Sequence, residues 1–145
     1  MNTNLLFSVI IPTYNQSKYL ERAINSVLLQ KKNYEIIVID NFSSDDTEEV
    51  VKKYKGNYLK YIKSNNFGII GKSRNIGIEN SIAPWIAFLD SDDEWYENKL
   101  NILEEFIKKY PEYDVITNDE EIFYEETKKK KIFQYGPTQI TSIKN

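Results

Sequence analysis

Glu35-Ile36-Ile37-Val38-Ile39-Asp40 carries four consecutive branched apolar residues between two acids. Such a run has no polar face, so it suits a strand covered on both sides of its sheet, as in α/β proteins with parallel strands. The segments around it support this. From Lys18 to Gln30, apolar residues fall at Tyr19, Leu20, Ala23, Ile24, Val27 and Leu28, the spacing of one helix face. Before that helix, Phe7–Ile11 predicts a buried strand that stops at Pro12. After the central run, Asp45 with Glu48 predicts a capped helix through Val50, Val51 and Tyr54, ended by Gly56.

The pattern then repeats. Tyr58–Ile62 predicts a weaker third strand interrupted by Lys60, and residues 72–80 a helix. Trp85–Asp90 (WIAFLD) predicts a fourth strand, Leu100–Tyr110 a helix, and Asp114–Thr117 a short strand. Repeated β-α-β units imply a Rossmann-like, mainly parallel sheet with helices on both faces. Asp119–Glu126 is acidic and Lys128–Lys131 is a run of four lysines, which suits a solvated turn between two edge strands. A contact with phosphate or anionic lipid is the alternative for those lysines. With no repeat or linker, residues 1–145 are expected to form a single domain.

Composition narrows the chemistry. The chain has 145 residues and a net charge of −3, so nucleic acid is not an expected partner. Cysteine and histidine are both absent, which excludes disulfides, thiolate catalysis and Cys- or His-built zinc sites. A bound metal must sit on oxygen, which favours Mg²⁺ or Mn²⁺. No basic leader or membrane-length apolar run occurs, so a cytoplasmic location is expected.

Ligands of wound sheets bind at the carboxyl ends of the strands, and every such end here is polar. They read Pro12-Thr13-Tyr14-Asn15, Asp40-Asn41, Asn65-Asn66-Phe67-Gly68 and Asp90-Ser91-Asp92-Asp93. In an extended segment, Asp90 and Asp92 point to one side, and a hard cation relieves their repulsion. A cap for the helix after Trp95 is the competing role for these carboxylates. An EF-hand does not fit, because Trp95 stands where glycine is required and Asn101 where Glu is required. Residues 66–73 imitate a Walker A loop except that Asn66 replaces its first glycine. Ile69 and Ile70 hinder the tight curl of a phosphate cradle, so a P-loop NTPase is a minor alternative.

In order and spacing, SVIIPTYN, YLERAINSVLLQ, EIIVIDNFSSDDT, NNFGIIGKSRNIGIENS and WIAFLDSDD resemble the nucleotide-binding half of glycosyltransferase family 2, with its GT-A fold. The likeness runs to about Thr117. It implies an inverting, metal-dependent transfer from a nucleotide sugar, a UDP-sugar foremost, to a saccharide or lipid-linked acceptor of the cell envelope. Pro12, Thr13, Tyr14 and Asn15 would line the nucleotide pocket, with Tyr14 near the base or simply packed. Asp40, beside Asn41, would accept a hydrogen bond from a uracil-type base, with a helix cap as its other role. Asn66 and Gly68 match an N-x-G turn, and Arg74 matches the arginine that reaches the nucleotide or else forms a surface ion pair. Ser73 departs from the usual alanine beside it. Asp90, Ser91 and Asp92 match the D-x-D motif, with Mn²⁺ or Mg²⁺ on Asp90 and Asp92, while Asp93 would cap the next helix. The family's downstream Glu-Asp base has no match after Asp93, so the acceptor half is expected to be missing beyond about residue 120, leaving donor binding with little transfer. A non-catalytic nucleotide-sugar-binding module is the alternative. The likeness also implies peripheral association with the inner face of the plasma membrane in the intact protein. Apolar residues near Ile132–Ile143 point to self-association as a homo-oligomer.

Overall fold

The computed structural model describes residues 5–31, 33–54, 56, 59–124 and 126–134. They divide into two compact units, Met1–Asn101 and Ile102–Asn145. The first holds a parallel sheet of four strands: β1 (Phe7–Thr13), β2 (Tyr34–Asp40), β3 (Leu59–Lys63) and β4 (Trp85–Phe88). Their order is β3-β2-β1-β4, so the chain reverses its direction of growth between β1 and β4. Three helices connect them: α1 (Ser17–Leu28), α2 (Thr47–Lys52) and α3 (Ile70–Glu79). The α/β architecture and the parallel pairing are those expected.

Alternation along the strands feeds two cores. Val9, Ile11, Ile36 and Val38 pack with Leu20, Ala23, Ile24 and Val27 of α1 and with Val50 and Val51 of α2. Ile10, Ile37 and Ile39 form a second cluster with Ile76 of α3. Helices on both faces explain why EIIVID has no polar side. At Gly77 of α3, an added Cβ would fall 2.4 Å from Ile10 Cγ2, so the helix can approach the sheet this closely only with glycine.

β1 does not stop at Pro12, as the sequence suggested, but runs to Thr13. Its ladder with β2 continues to Thr13↔Asp40, whereas pairing with β4 ends at Ile10↔Phe88. The reason is local. The Ile10 carbonyl accepts the Leu89 N–H on one side, and the Thr13 carbonyl accepts the Asn41 N–H on the other. Alternation therefore turns Pro12 toward β4, where it has no N–H to extend the ladder. The β1–β4 edge comes apart just where the strand order reverses, the position at which wound sheets open a crevice.

Helix α4 (Lys99–Lys109) begins in the first unit, where Leu100 is buried. In the second unit, β5 (Glu120–Tyr124) and β6 (Lys129–Phe133) pair antiparallel, the expected hairpin at the charged tail. Lys128 takes the turn with φ 55°, and Lys129–Lys131 lie within β6 rather than in the turn. The strand expected over 114–117 does not form, and Val115 is exposed. Without a partner ladder, that short apolar run stays irregular. Ile132 is exposed, while residues 135–143 of the expected self-association segment lie outside the described residues. Among the described residues, no helix is long and apolar enough to cross a membrane.

Candidate functional site

At the carboxyl ends of the strands, hydrogen bonds link the loops into a closed circuit. The Asn15 N–H donates to Ser43 Oγ at 2.9 Å, and the Ser44 N–H donates to Asn15 Oδ1 at 2.8 Å, joining the loops after β1 and β2. The Asn66 N–H donates to Asn41 Oδ1 at 2.9 Å, joining the loops after β2 and β3. Asn66 Nδ2 then donates to Ser73 Oγ of α3 at 3.0 Å, and Arg74 Nη2 donates to Asp90 Oδ1 at 2.7 Å. Ser91 Oγ donates to Gln16 Oε1, which spans the reversal point and closes the ring. Interlinked polar groups of this kind, with the Arg74–Asp90 ion pair among them, hold a rim rigid before any ligand arrives.

Asp40 is fully buried inside this rim. Its Oδ1 accepts the Ser43 N–H at 2.9 Å and the Ser43 hydroxyl at 2.5 Å, while Oδ2 accepts the Tyr61 hydroxyl at 2.6 Å. Burial, and then the Asp40 carboxylate, raise the Tyr61 pKa, so the phenol stays a donor. The carboxylate thus braces the β2–α2 loop. Capping falls to Asp45: Oδ1 accepts the Thr47 N–H and hydroxyl at 3.1 and 2.6 Å, and Oδ2 accepts the Ser17 N–H at 2.8 Å. One side chain therefore serves the first turns of α2 and α1. Glu48 does not complete a capping box, because Lys52 and Lys63 pair with it.

The acidic segment is not extended. β4 ends at Phe88, and the Asp93 N–H donates to the Asp90 carbonyl at 3.0 Å, so 90–93 is a turn. Alternation along a strand therefore does not set where Asp90 and Asp92 point. Asp93 does not cap a helix, since α4 starts only at Lys99. Between them, Trp95 N–H donates to Ser26 Oγ, and Gln30 takes the Tyr96 carbonyl and the Leu100 N–H. Helix α1 thereby fixes the segment leading away from the turn.

The remaining expected residues occupy the same rim. Pro12 is buried, Tyr14 is 56% exposed, and Asn15 has φ 52°. Gly68 has φ 78° and its N–H donates to Asn66 Oδ1, so Asn66 and Gly68 do form the N-x-G turn. Ser91 is buried and Asp92 is exposed. Two buried side-chain polar atoms are without a hydrogen-bond partner among the described residues: Thr13 Oγ1 and Arg74 Nε. Both belong to the expected site. Buried polar atoms are nearly always paired, so these two stand out on the rim. Gln16 and Tyr61 were missed from the sequence, since nothing in the local pattern reveals a bond to a side chain far along the chain.

On the 90–93 turn, a divalent cation would find the carboxylates of Asp90 and Asp92, the pair the D-x-D likeness points to. Among the described residues there is no group of three His, Cys, Asp or Glu side chains that could hold a metal. Two carboxylates suit a cation that takes its other ligands from a phosphate-bearing substrate, as Mg²⁺ commonly does.

The sequence profile of Glycosyl transferase family 2 matches residues 8–144. An uncharacterized glycosyltransferase of Rickettsia conorii is 45% identical over 106 residues, covering 70% of this chain and 17% of that protein. The poly(ribitol-phosphate) beta-N-acetylglucosaminyltransferase TarP of Staphylococcus aureus is 42% identical over 108 residues, covering 70% of this chain and 33% of TarP. Among solved structures, S. aureus TarS 1-349 in complex with UDP-GlcNAc superposes with a TM-score of 0.69 at 34% identity, over 74% of this chain and 32% of that one. The chain thus spans between a sixth and a third of the length of these relatives.

Proposed function

Because the chain belongs to glycosyl transferase family 2, we propose that it binds the donor of an inverting sugar transfer, a UDP-sugar foremost, in the crevice between β1 and β4. The observation that carries this is the pair of buried, unpartnered polar atoms, Thr13 Oγ1 and Arg74 Nε, on the rim that the 90–93 turn completes. TarS in complex with UDP-GlcNAc adds support through its likeness to this chain. The acceptor, a saccharide or lipid-linked molecule, belongs to the same proposal, as does a place at the cytoplasmic face of the envelope.

Each group has a physical part. Thr13 Oγ1 offers a donor or acceptor to the nucleotide at the end of β1. Arg74 is held by Asp90 through one nitrogen and keeps Nε for an anionic oxygen, the pairing at which guanidinium excels. Asp90 and Asp92 would hold Mn²⁺ or Mg²⁺, whose charge, when bound, offsets the charge that builds on a diphosphate leaving group. The base that takes the acceptor's proton is assigned to no residue of this chain.

Calorimetry of the 145-residue chain with UDP and Mn²⁺ tests the proposal. Binding is expected, abolished by a chelator and weakened roughly tenfold or more in Asp92→Ala, the scale of a lost charge-assisted contact. UDP binding that ignores both the chelator and the substitution would remove the metal from the scheme. No UDP binding by the wild type would remove the donor site itself.

A further inference from the structure

We infer that Phe42 supplies an aromatic face for the pyrimidine base of the donor, a binding contact that rests on the donor-binding proposal. The starting point is its backbone. Phe42 has φ 56°, in the left-handed region that favours glycine and is a true outlier for a bulky side chain. Strain of this kind persists only where the surroundings over-determine it, and it gathers at functional sites. The surroundings here do so. Asn41 is held by the Thr13 carbonyl and by the Asn66 N–H. Ser43 is held by Asp40 and by the Asn15 N–H, and Ser44 by Asn15 Oδ1. Five anchors on residues 41, 43 and 44 force Phe42 into its strained turn.

What that strain displays is a phenyl ring, 59% exposed, at the carboxyl-end rim. Phe67 shares the backbone feature, with φ 56°, but Lys72 Nζ lies 4.2 Å from the centroid of its ring and occupies its face. Among the described residues, neither a cation nor another ring covers Phe42. Its position also suits the base rather than the diphosphate. Phe42 follows β2, and the acidic turn follows β4, with β1 between them. Two strand spacings, about 10 Å, separate the two ends, which leaves room for a ribose and a phosphate. The anchors tie the Phe42 loop to Thr13 and Asn15, on either side of exposed Tyr14, so both rings rise from adjacent loops.

The test replaces Phe42 with Asn, which tolerates positive φ without a ring, and with Tyr, which keeps the ring. UDP binding in Mn²⁺ is measured by calorimetry beside thermal melting. Phe42→Asn is expected to melt no lower than the wild type yet bind UDP about fivefold or more weakly, the scale of one lost base stack. Phe42→Tyr is expected to bind like the wild type. UDP binding by Phe42→Asn at wild-type strength overturns the inference. So does weakened binding accompanied by a lower melting temperature and no recovery in Phe42→Tyr, which would mark a collapsed loop. A wild type that does not bind UDP instead defeats the donor proposal beneath it.

Discussion

Replacing Glu35 with alanine is expected to destabilise the fold by about 2–3 kcal/mol, the upper range for leaving a buried polar group without its hydrogen-bond partner. Glu35 opens the central strand run yet is only 2% exposed. Its Oε1 accepts the Ser8 hydroxyl at 2.6 Å and the Ile82 N–H at 2.7 Å, and its Oε2 pairs with Lys60 Nζ at 3.0 Å. Lys60 also donates to the Asn80 carbonyl, and Ser8 Oγ accepts the Ala83 N–H. One carboxylate therefore latches the connection from α3 to β4 onto β1, β2 and β3. Without it, Lys60 keeps only the Asn80 carbonyl, and Ser8 and the Ile82 N–H lose their acceptor. Chemical denaturation of Glu35→Ala against wild type at neutral pH measures the loss. A difference under about 1 kcal/mol, the range of exposed pairs, would refute the latch.

The same residue sets a pH dependence. Burial alone would raise the Glu35 pKa, but the bonds from Ser8 and Ile82 and the Lys60 charge outweigh it and hold the carboxyl below its ordinary value. A lowered folded pKa means that the folded state favours the carboxylate. The contribution is fully present above the unfolded value of about 4.3 and is lost as pH falls through the folded one. The stability gap between wild type and Glu35→Gln should therefore be constant near neutrality and shrink below about pH 4. Denaturation curves across pH 3–7 check the direction, and a gap that widens on acidification would contradict it.

Gly77→Ala is expected to cost roughly 2–3 kcal/mol, although alanine is the better helix former. The new methyl would stand 2.4 Å from Ile10 Cγ2 and 2.9 Å from Ile10 Cδ1, in the middle of a fully buried strand. Neither β1, paired on both sides, nor the helix can yield without breaking other packing. Adding Ile10→Val should recover part of the loss by removing the Cδ1 methyl. Because Arg74 lies one turn before Gly77 on α3, displacement of the helix should also weaken UDP binding. Thermal melts of the single and double variants decide this. A single variant as stable as wild type would mean that α3 slides freely on the sheet.

Much of this was legible in one dimension. Short continuous apolar runs against 3.6-residue spacing separated strands from helices, and EIIVID, with four branched apolar residues in a row, announced a sheet covered on both faces. The polar residues closing each strand marked the rim. These signals are local, because a backbone's choice between helix and strand is made over a few neighbouring side chains. The boundaries that failed depended on partners. Residues 114–117 lacked a ladder to join, and β1 passed Pro12 because β2 pairs on the side that needs no Pro12 N–H.

The order of the elements, the covered sheet and the acidic, histidine-free rim were thus determined by the sequence alone. Only the tertiary structure decided which polar groups are paired and which are not. Asp40 accepts from Ser43 and Tyr61, and Glu35 from Ser8, Ile82 and Lys60. Thr13 Oγ1 and Arg74 Nε are left over. The physical reason is distance along the chain: hydrogen bonds between residues 21 to 75 positions apart form only where the sheet brings their strands side by side.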